Sequence, residues 1–355
     1  MSIEIKTIAI VGSGYMGGGI AQVLALSGAT VRIADISEEI ARKNYDRLLE
    51  EAAQFVADDL FPADAVERIR ANVSPAASIE EAVADADFIE EAVPEKLEIK
   101  HATLARISAA ARPDAVIGSN TSTILIGSLA EAVTNPERFL GVHFSNPAPF
   151  IPGVEVIPHA TTAESAIAAA EQVVAATGKE TARVKDSTGF VLNRLQYALF
   201  AEATQIADEG IASPSDIDTI VRTTFGFRLP VFGPFAIADM AGLDVYAFCY
   251  ESLQTRWPER FATPDSLQKL VDAGKFGTKS GAGYLDVPAD RTPELVAYRN
   301  RAYVAIKKLM DELGPAPIGP ASTEAPATST EAAAISTEAA GSSTEAAASS
   351  TEAHG

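Results

Sequence analysis

Histidine is the side chain best suited to moving a proton near neutral pH, and this chain of 355 residues has four. His101 falls on a predicted helix, His159 lies just past a predicted strand, and His354 is near the C-terminus. His143 has different company. It sits in Leu140–Phe144, an apolar run that reads as a strand, followed by Ser145-Asn146-Pro147-Ala148-Pro149-Phe150-Ile151-Pro152. The prolines force an irregular loop, and Val154–Ile157, which contains Glu155, resumes a strand. His143 and Glu155 therefore flank one loop and can approach across neighbouring strand ends. A histidine beside apolar residues is more often structural; an acid within reach makes proton transfer the competing reading. No His/Cys spacing points to a metal site.

A second group of residues suits a phosphate-bearing ligand. The stretch from Thr7 to Asp35 reads as a strand (Ile8–Val11), the turn Gly12-Ser13-Gly14-Tyr15-Met16-Gly17, an apolar-rich helix, and a strand (Thr30–Ile33) closing on Asp35. Gly12 permits the tight turn, Gly14 lets backbone N–H groups approach a pyrophosphate, and Gly17 lets the helix pack on the strand. The helix N-terminus faces the phosphates with its positive end. Asp35 lies 18 residues after Gly17, where a carboxylate accepts both hydroxyls of an adenosine ribose. It would repel a phosphorylated ribose, and Ile36-Ser37 offers no compensating arginine, so NAD is favoured over NADP.

The elements that must position these groups follow in order. Residues 36–72 read as two helices joined near Leu60-Phe61-Pro62, and from Asp46 to Glu67 they carry seven acids against one base, Arg47. Ala86–Glu91 reads as a third strand, Glu95-Lys96 opens a helix running to about Ala111, and Ala115–Gly118 is a further strand. It ends in Ser119-Asn120-Thr121-Ser122-Thr123, polar residues that either cap the next helix or face a ligand past a strand's carboxyl end. A helix (about 162–177) and a last strand (about 180–184) complete the first domain, and Lys185–Phe190 is the joint. Beyond it the β signal fades. Helices are expected over 190–209, from Ser213, over 233–244, over 265–273 and over about 293–313, with a glycine-rich basic hairpin-like turn at 275–285. The expected architecture is an α/β Rossmann-type nucleotide-binding domain (1–187), an all-α C-terminal domain (188–313) and a disordered low-complexity tail (314–355). In that tail Ser-Thr-Glu-Ala recurs every seven residues from 322, with five glutamates and almost nothing to bury.

Bulk composition narrows the partners. A hydrophobic content of 47% is ample for two cores, and a net charge of −20 argues against nucleic acid and anionic membranes. A single cysteine, Cys249, excludes an internal disulfide framework and suits a reducing compartment. With the first strand starting near residue 7 and no apolar run approaching 18 residues, neither a signal peptide nor a membrane span is expected. The expectation is a soluble cytoplasmic protein.

At these residues the sequence resembles the NAD-dependent L-3-hydroxyacyl-CoA dehydrogenase family, over about 1–313. The matching pieces are GSGYMGGGIA, FIEEAVPEKLEIK, SNTST, GVHFSNPAPFIPGVEVI, DSTGFVLNRL and the GPFAIADMAGLDV and KFGTKSGAGY segments. Ser122 to His143 is 21 residues, His143 to Glu155 is 12 and His143 to Asn193 is 50, as the family's catalytic set requires. The resemblance implies that His143 is the general base in one direction and the acid in the other. Glu155 fixes its tautomer, and Ser122 and Asn193 hydrogen-bond the reacting oxygen or the imidazole. It implies an NAD set of Gly12, Gly14, Tyr15, Met16, Gly17, Asp35 and Asn120, with Glu91 and Lys96 on the nicotinamide-ribose side. It also implies a homodimer through the helical domain. The sequence departs from acyl-CoA members in its acidic hairpin, 41–72, where such members are rich in lysine; Arg42, Lys43, Arg68 and Arg70 remain at its ends. The HFSNPAPFIPGVEV loop is close to relatives acting on small free acids, gulonate dehydrogenase and a pyridine-carboxylate dehydrogenase of vitamin B6 breakdown. The expected substrate is thus a small hydroxy or keto compound, CoA-free or CoA-linked. The alternative of another class is a non-catalytic NAD-binding, crystallin-like protein.

Overall fold

The computed structural model describes residues 5–285 and 287–318; the Ser-Thr-Glu-Ala repeats expected to be disordered lie outside them. By Cα proximity the chain divides into two compact units, one ending at Pro214 and one starting at Ser215.

Among the described residues, eight strands form one sheet in the order β3-β2-β1-β4-β5-β6-β7-β8. They are β1 (Thr7–Val11), β2 (Thr30–Ala34), β3 (Val73–Pro75), β4 (Phe88–Glu91), β5 (Val116–Ser119), β6 (Phe139–Phe144), β7 (Gly153–Pro158) and β8 (Glu180–Arg183). All neighbours run parallel except β6 and β7, whose antiparallel register sets His143 directly opposite Glu155. The first unit's helices are α1 (Tyr15–Leu26), α2 (Glu38–Ala57), α3 (Ala65–Asn72), α4 (Ile79–Val83), α5 (Leu97–Ala110), α6 (Ile126–Ala130), α7 (Glu164–Ala176) and α8 (Leu192–Asp208).

Alternation along the strands builds a core on each face of the sheet. Ile8 and Ile10 of β1 point to one side, with Ile20 and Leu24 of α1 and Val173 and Val174 of α7. Ala9 and Val11 point to the other, with Ile79 of α4, Leu104 and Ile107 of α5 and Leu129 of α6. Strand order reverses between β1 and β4, which opens a crevice at their carboxyl ends. In this unit β3 and α4 depart from the sequence reading: β3 makes the strand expected third the fourth, and α4 lies between the two. β3 has three residues, ends in Pro75 and lies at the sheet edge, too short and too proline-marked to read as a strand.

The second unit holds α9, which begins at Pro214 (Pro214–Thr223), then α10 (Phe225–Arg228), α11 (Pro234–Ala241), α12 (Leu243–Gln254), α13 (Asp265–Asp272) and α14 (Thr292–Leu313). The glycine-rich turn closes on a bridge between Gly277 and Ala282 and is held by buried Asp239. Asp239 accepts the N–H groups of Tyr284 and Leu285 at 3.0 and 2.7 Å. Among the described residues, no helix is long and apolar enough to cross a membrane.

Candidate active site

The crevice beside β1 is a cavity of about 650 Å³, whose walls include Gly12, Gly14, Tyr15, Met16, Asp35 and Asn120. The glycines divide the work by geometry. Gly12 has φ +98°, and a Cβ there would stand 2.6 Å from the Ala92 carbonyl carbon. A Cβ on Gly17 would sit 1.9 Å from the Gly12 carbonyl oxygen, so Gly17 serves helix–strand packing and does not line the cavity. Gly14 has open space where a side chain would be and is the N-cap of α1, with no side-chain cap and no acid in the first turn. The first amides of α1 therefore face the cavity for an anion. Asp35 takes the Ser13 N–H and hydroxyl on Oδ2 at 2.8 and 2.7 Å and the Ile36 N–H on Oδ1 at 2.8 Å. That fixes the carboxylate and leaves lone pairs for ribose hydroxyls. A guanidinium not expected here, that of Arg106, is also on the wall. It is bound to Glu80 through Nε at 2.9 Å and Nη2 at 3.1 Å, and this pairing holds the Glu80 carboxyl at about 2. Uncapped amides, a carboxylate with lone pairs to spare and a committed arginine fit NAD.

The antiparallel β6–β7 pair brings His143 and Glu155 together. His143 Nδ1 lies 2.8 Å from Glu155 Oε2, and Ser122 Oγ lies 3.1 Å from His143 Nε2. An ionised carboxylate only accepts, so Nδ1 carries the proton and Nε2 presents its lone pair, to which the Ser122 hydroxyl donates. Both dyad residues are buried, His143 4% and Glu155 8% exposed. Burial alone would push the Glu155 carboxyl up. The hydrogen bonds from His143 and from the Leu192 and Val191 N–H groups outweigh it and hold Glu155 below the ordinary range. Asn193, on the first turn of α8, donates through Nδ2 to the Ser122 carbonyl at 2.9 Å. Ser122 and Asn120 border the cofactor cavity, with the Asn120 side-chain oxygen fixed by the Phe144 N–H at 2.7 Å.

Glu91 and Lys96, expected beside the nicotinamide ribose, are not on the cavity wall. Glu91 is fully buried. Its Oε1 takes Lys100 Nζ and the Val93 N–H, both at 2.8 Å, and its Oε2 takes the Ser119 hydroxyl at 2.6 Å. Lys96 is exposed. Of the acids in this stretch, Glu95 is the one on the wall. Its Oε1 accepts from the Thr121 hydroxyl (2.7 Å) and from the N–H groups of Ser122 and Thr123 (both 2.9 Å), which sets the backbone that carries the Ser122 hydroxyl. Burial works against this charge too, but the Thr121 and Thr123 hydrogen bonds, Lys100 and the Ser122 N–H hold Glu95 below the ordinary range. The signal available in the sequence was that Glu95 follows the strand's end, where a side chain is no longer bound to a sheet face.

Compared with known proteins, residues 7–187 match the family model of the 3-hydroxyacyl-CoA dehydrogenase NAD binding domain, and residues 189–287 that of the 3-hydroxyacyl-CoA dehydrogenase C-terminal domain. The chain belongs to the 3-hydroxyacyl-CoA dehydrogenase family. It is an NAD-dependent oxidoreductase of that family. The 5-formyl-3-hydroxy-2-methylpyridine 4-carboxylate 5-dehydrogenase of Mesorhizobium japonicum is 34% identical over 86% of this chain and 99% of its own. The 3-hydroxyadipyl-CoA dehydrogenase of Escherichia coli is 33% identical over 89% of this chain, which spans only 64% of that relative's length. A solved 3-hydroxyacyl-CoA dehydrogenase from Archaeoglobus fulgidus superposes with a TM-score of 0.71 at 30% identity, covering 87% of this chain and 99% of that one.

Proposed function

We propose that this family member interconverts a secondary alcohol and its ketone on a small hydroxy compound not attached to CoA. The observation that carries the chemistry is the chain Ser122–His143–Glu155, ordered so that Nε2 is the free base. His143 takes the hydroxyl proton as the alcohol is oxidised and returns it in the reverse direction. Glu155 stabilises the imidazolium, and Ser122, steadied by Asn193, holds the reacting oxygen. Such a base contributes about 10² to 10⁴ in rate. NAD, when bound, supplies the hydride acceptor.

The CoA-free reading rests on the acidic hairpin. Two of its four end bases are already engaged. Arg42 reaches Glu38 at 2.8 and 2.6 Å, and Arg68 reaches the Leu26 carbonyl and lies 3.6 Å from Asp64. The second reading, a 3-hydroxyacyl-CoA substrate, is favoured by Lys43 and Arg70, which have no ion-pair partner among the described residues, and by the names of two of the relatives above. The intact Ser122–His143–Glu155 chain counts against a non-catalytic role. A homodimer through the helical domain is supported by α8, no residue of which is buried. Its Leu195, Tyr197, Leu199 and Phe200 are 42% to 64% exposed. The single cysteine supports a cytoplasmic setting.

The deciding experiment follows NADH absorbance with acetoacetyl-CoA and, beside it, free acetoacetate. The expected result is no rapid turnover of the ester despite measurable NADH binding. Rapid turnover of the ester alone overturns the CoA-free reading and installs the second one.

A further inference from the structure

α8 is entered through two consecutive left-handed residues, Gly189 (φ +75°) and Phe190 (φ +48°). Glycine adopts this conformation readily, whereas for a bulky residue it is strained and persists only where its surroundings enforce it. The enforcement is visible. Phe190 N–H closes the turn on the Ser187 carbonyl at 2.9 Å, and its side chain is 1% exposed. Its ring stands 5.8 Å from the His143 ring, centroid to centroid, at an interplanar angle of 57°. Immediately after the turn, the Val191 and Leu192 N–H groups both donate to Glu155 Oε1, at 2.9 and 3.0 Å. A right-handed or extended Phe190 would send those two amides elsewhere. One strained turn thus serves both members of the dyad, the carboxylate through the backbone and the imidazole through an apolar ring.

We propose that Phe190 is a positioning residue for the His143–Glu155 dyad: its left-handed backbone aims two amides at Glu155, and its ring keeps water off the imidazole. The inference rests on the dehydrogenase reading of that pair. It also accounts for phenylalanine at a position where glycine would take the same backbone without strain. Ring and backbone are separable by substitution. Phe190→Gly keeps the left-handed turn and removes the ring. Phe190→Ile keeps apolar bulk, but its β-branch resists the left-handed backbone and takes the amides off Glu155.

The test uses the full-length protein and three readouts: NADH binding by fluorescence, NADH oxidation with acetoacetyl-CoA and with acetoacetate, and the downfield Nδ1–H proton of His143 by NMR. Phe190→Gly is expected to bind NADH within about twofold of wild type, to lose about tenfold or more in kcat with little change in KM, and to show the imidazole proton broadened by exchange with water. Phe190→Tyr restores the kcat. Phe190→Ile moves the acid limb of the NADH-oxidation profile to higher pH, because Glu155 loses two of the donors that keep it ionised. A folded Phe190→Gly protein with wild-type kcat and an unbroadened imidazole proton overturns the proposal, even if Phe190→Ile fails to fold. If wild type turns over neither probe, the substrate reading fails separately, and the imidazole proton, which needs no substrate, still decides this one.

Discussion

α1 and α8 are both helices with many apolar side chains, and the fold puts them to opposite use. In α1 every residue from Gly17 to Ala25 is buried, sealed between the sheet and its neighbours. In α8 no residue is buried, although Leu195, Tyr197, Leu199 and Phe200 sit on it. The same contrast separates the sheet, with a core on each face, from the helices after Pro214, whose buried cluster is Ala238, Leu243, Ala247 and Leu267. Burying one large apolar side chain contributes about 1.5–3 kcal/mol, so α8 leaves several such contributions unrealised within a single protomer. The cofactor crevice needs one finished, rigid half. α8, by contrast, keeps its apolar side chains exposed.

Three substitutions sharpen or break this contrast, from the largest effect to the smallest. His143→Ala removes the proposed base; kcat is expected to fall by about 10² to 10⁴ while NADH binding stays unchanged. Turnover within tenfold of wild type would remove His143 from its role. Gly17→Ala attacks the finished half, since its methyl would lie 1.9 Å from the Gly12 carbonyl oxygen. Overpacking of this kind costs about 1–3 kcal/mol or more, so a lowered Tm and weakened NADH binding are expected together. An unchanged dissociation constant would show that the turn and the helix move independently. Phe200→Glu addresses the unfinished helix. If α8 forms the proposed homodimer contact, sedimentation should show the mass halved, while the stability of the isolated protomer changes by no more than about 0.5 kcal/mol. A dimer that survives the charge, or a wild type that is already a monomer, removes α8 from the interface.

The parts of the fold legible beforehand were those with a strong local pattern. The strand–glycine–helix start, the proline-stiffened strands around His143 and Glu155, and Pro214 at the first position of α9 each carry their own signal. β3 was not legible because three edge residues ending in proline have no period to read. The short α4 did carry a cue, since Ser78 caps it by accepting the Glu81 N–H while Glu81 accepts the Ala77 N–H. Only its place past the strand's end marks Glu95 out from Glu91 in the sequence. β4 is buried on both faces, so alternation does not say which acid turns inward, and only the end of the strand at Glu91 frees Glu95 for the cavity.

Next to Glu91 stands Glu90, fully buried, with neither carboxyl oxygen hydrogen-bonded among the described residues and one of them filling the space that a side chain on Gly118 would need. Burial first, and the neighbouring Glu91 charge second, push its carboxyl well above the ordinary range, with Lys100 opposing. The consequence is thermodynamic. An unfolded glutamate titrates at about 4.3. Between that pH and the raised value of the native state, the chain takes a proton from solution as it folds. Over this window each added pH unit withdraws about 1.4 kcal/mol from the folded state. The dyad's Glu155, held low, has the opposite sign: its contribution is complete above the unfolded value and fades as pH falls through the native one. Two carboxyls in one sheet thus bound the native state from opposite directions, one towards alkali and one towards acid.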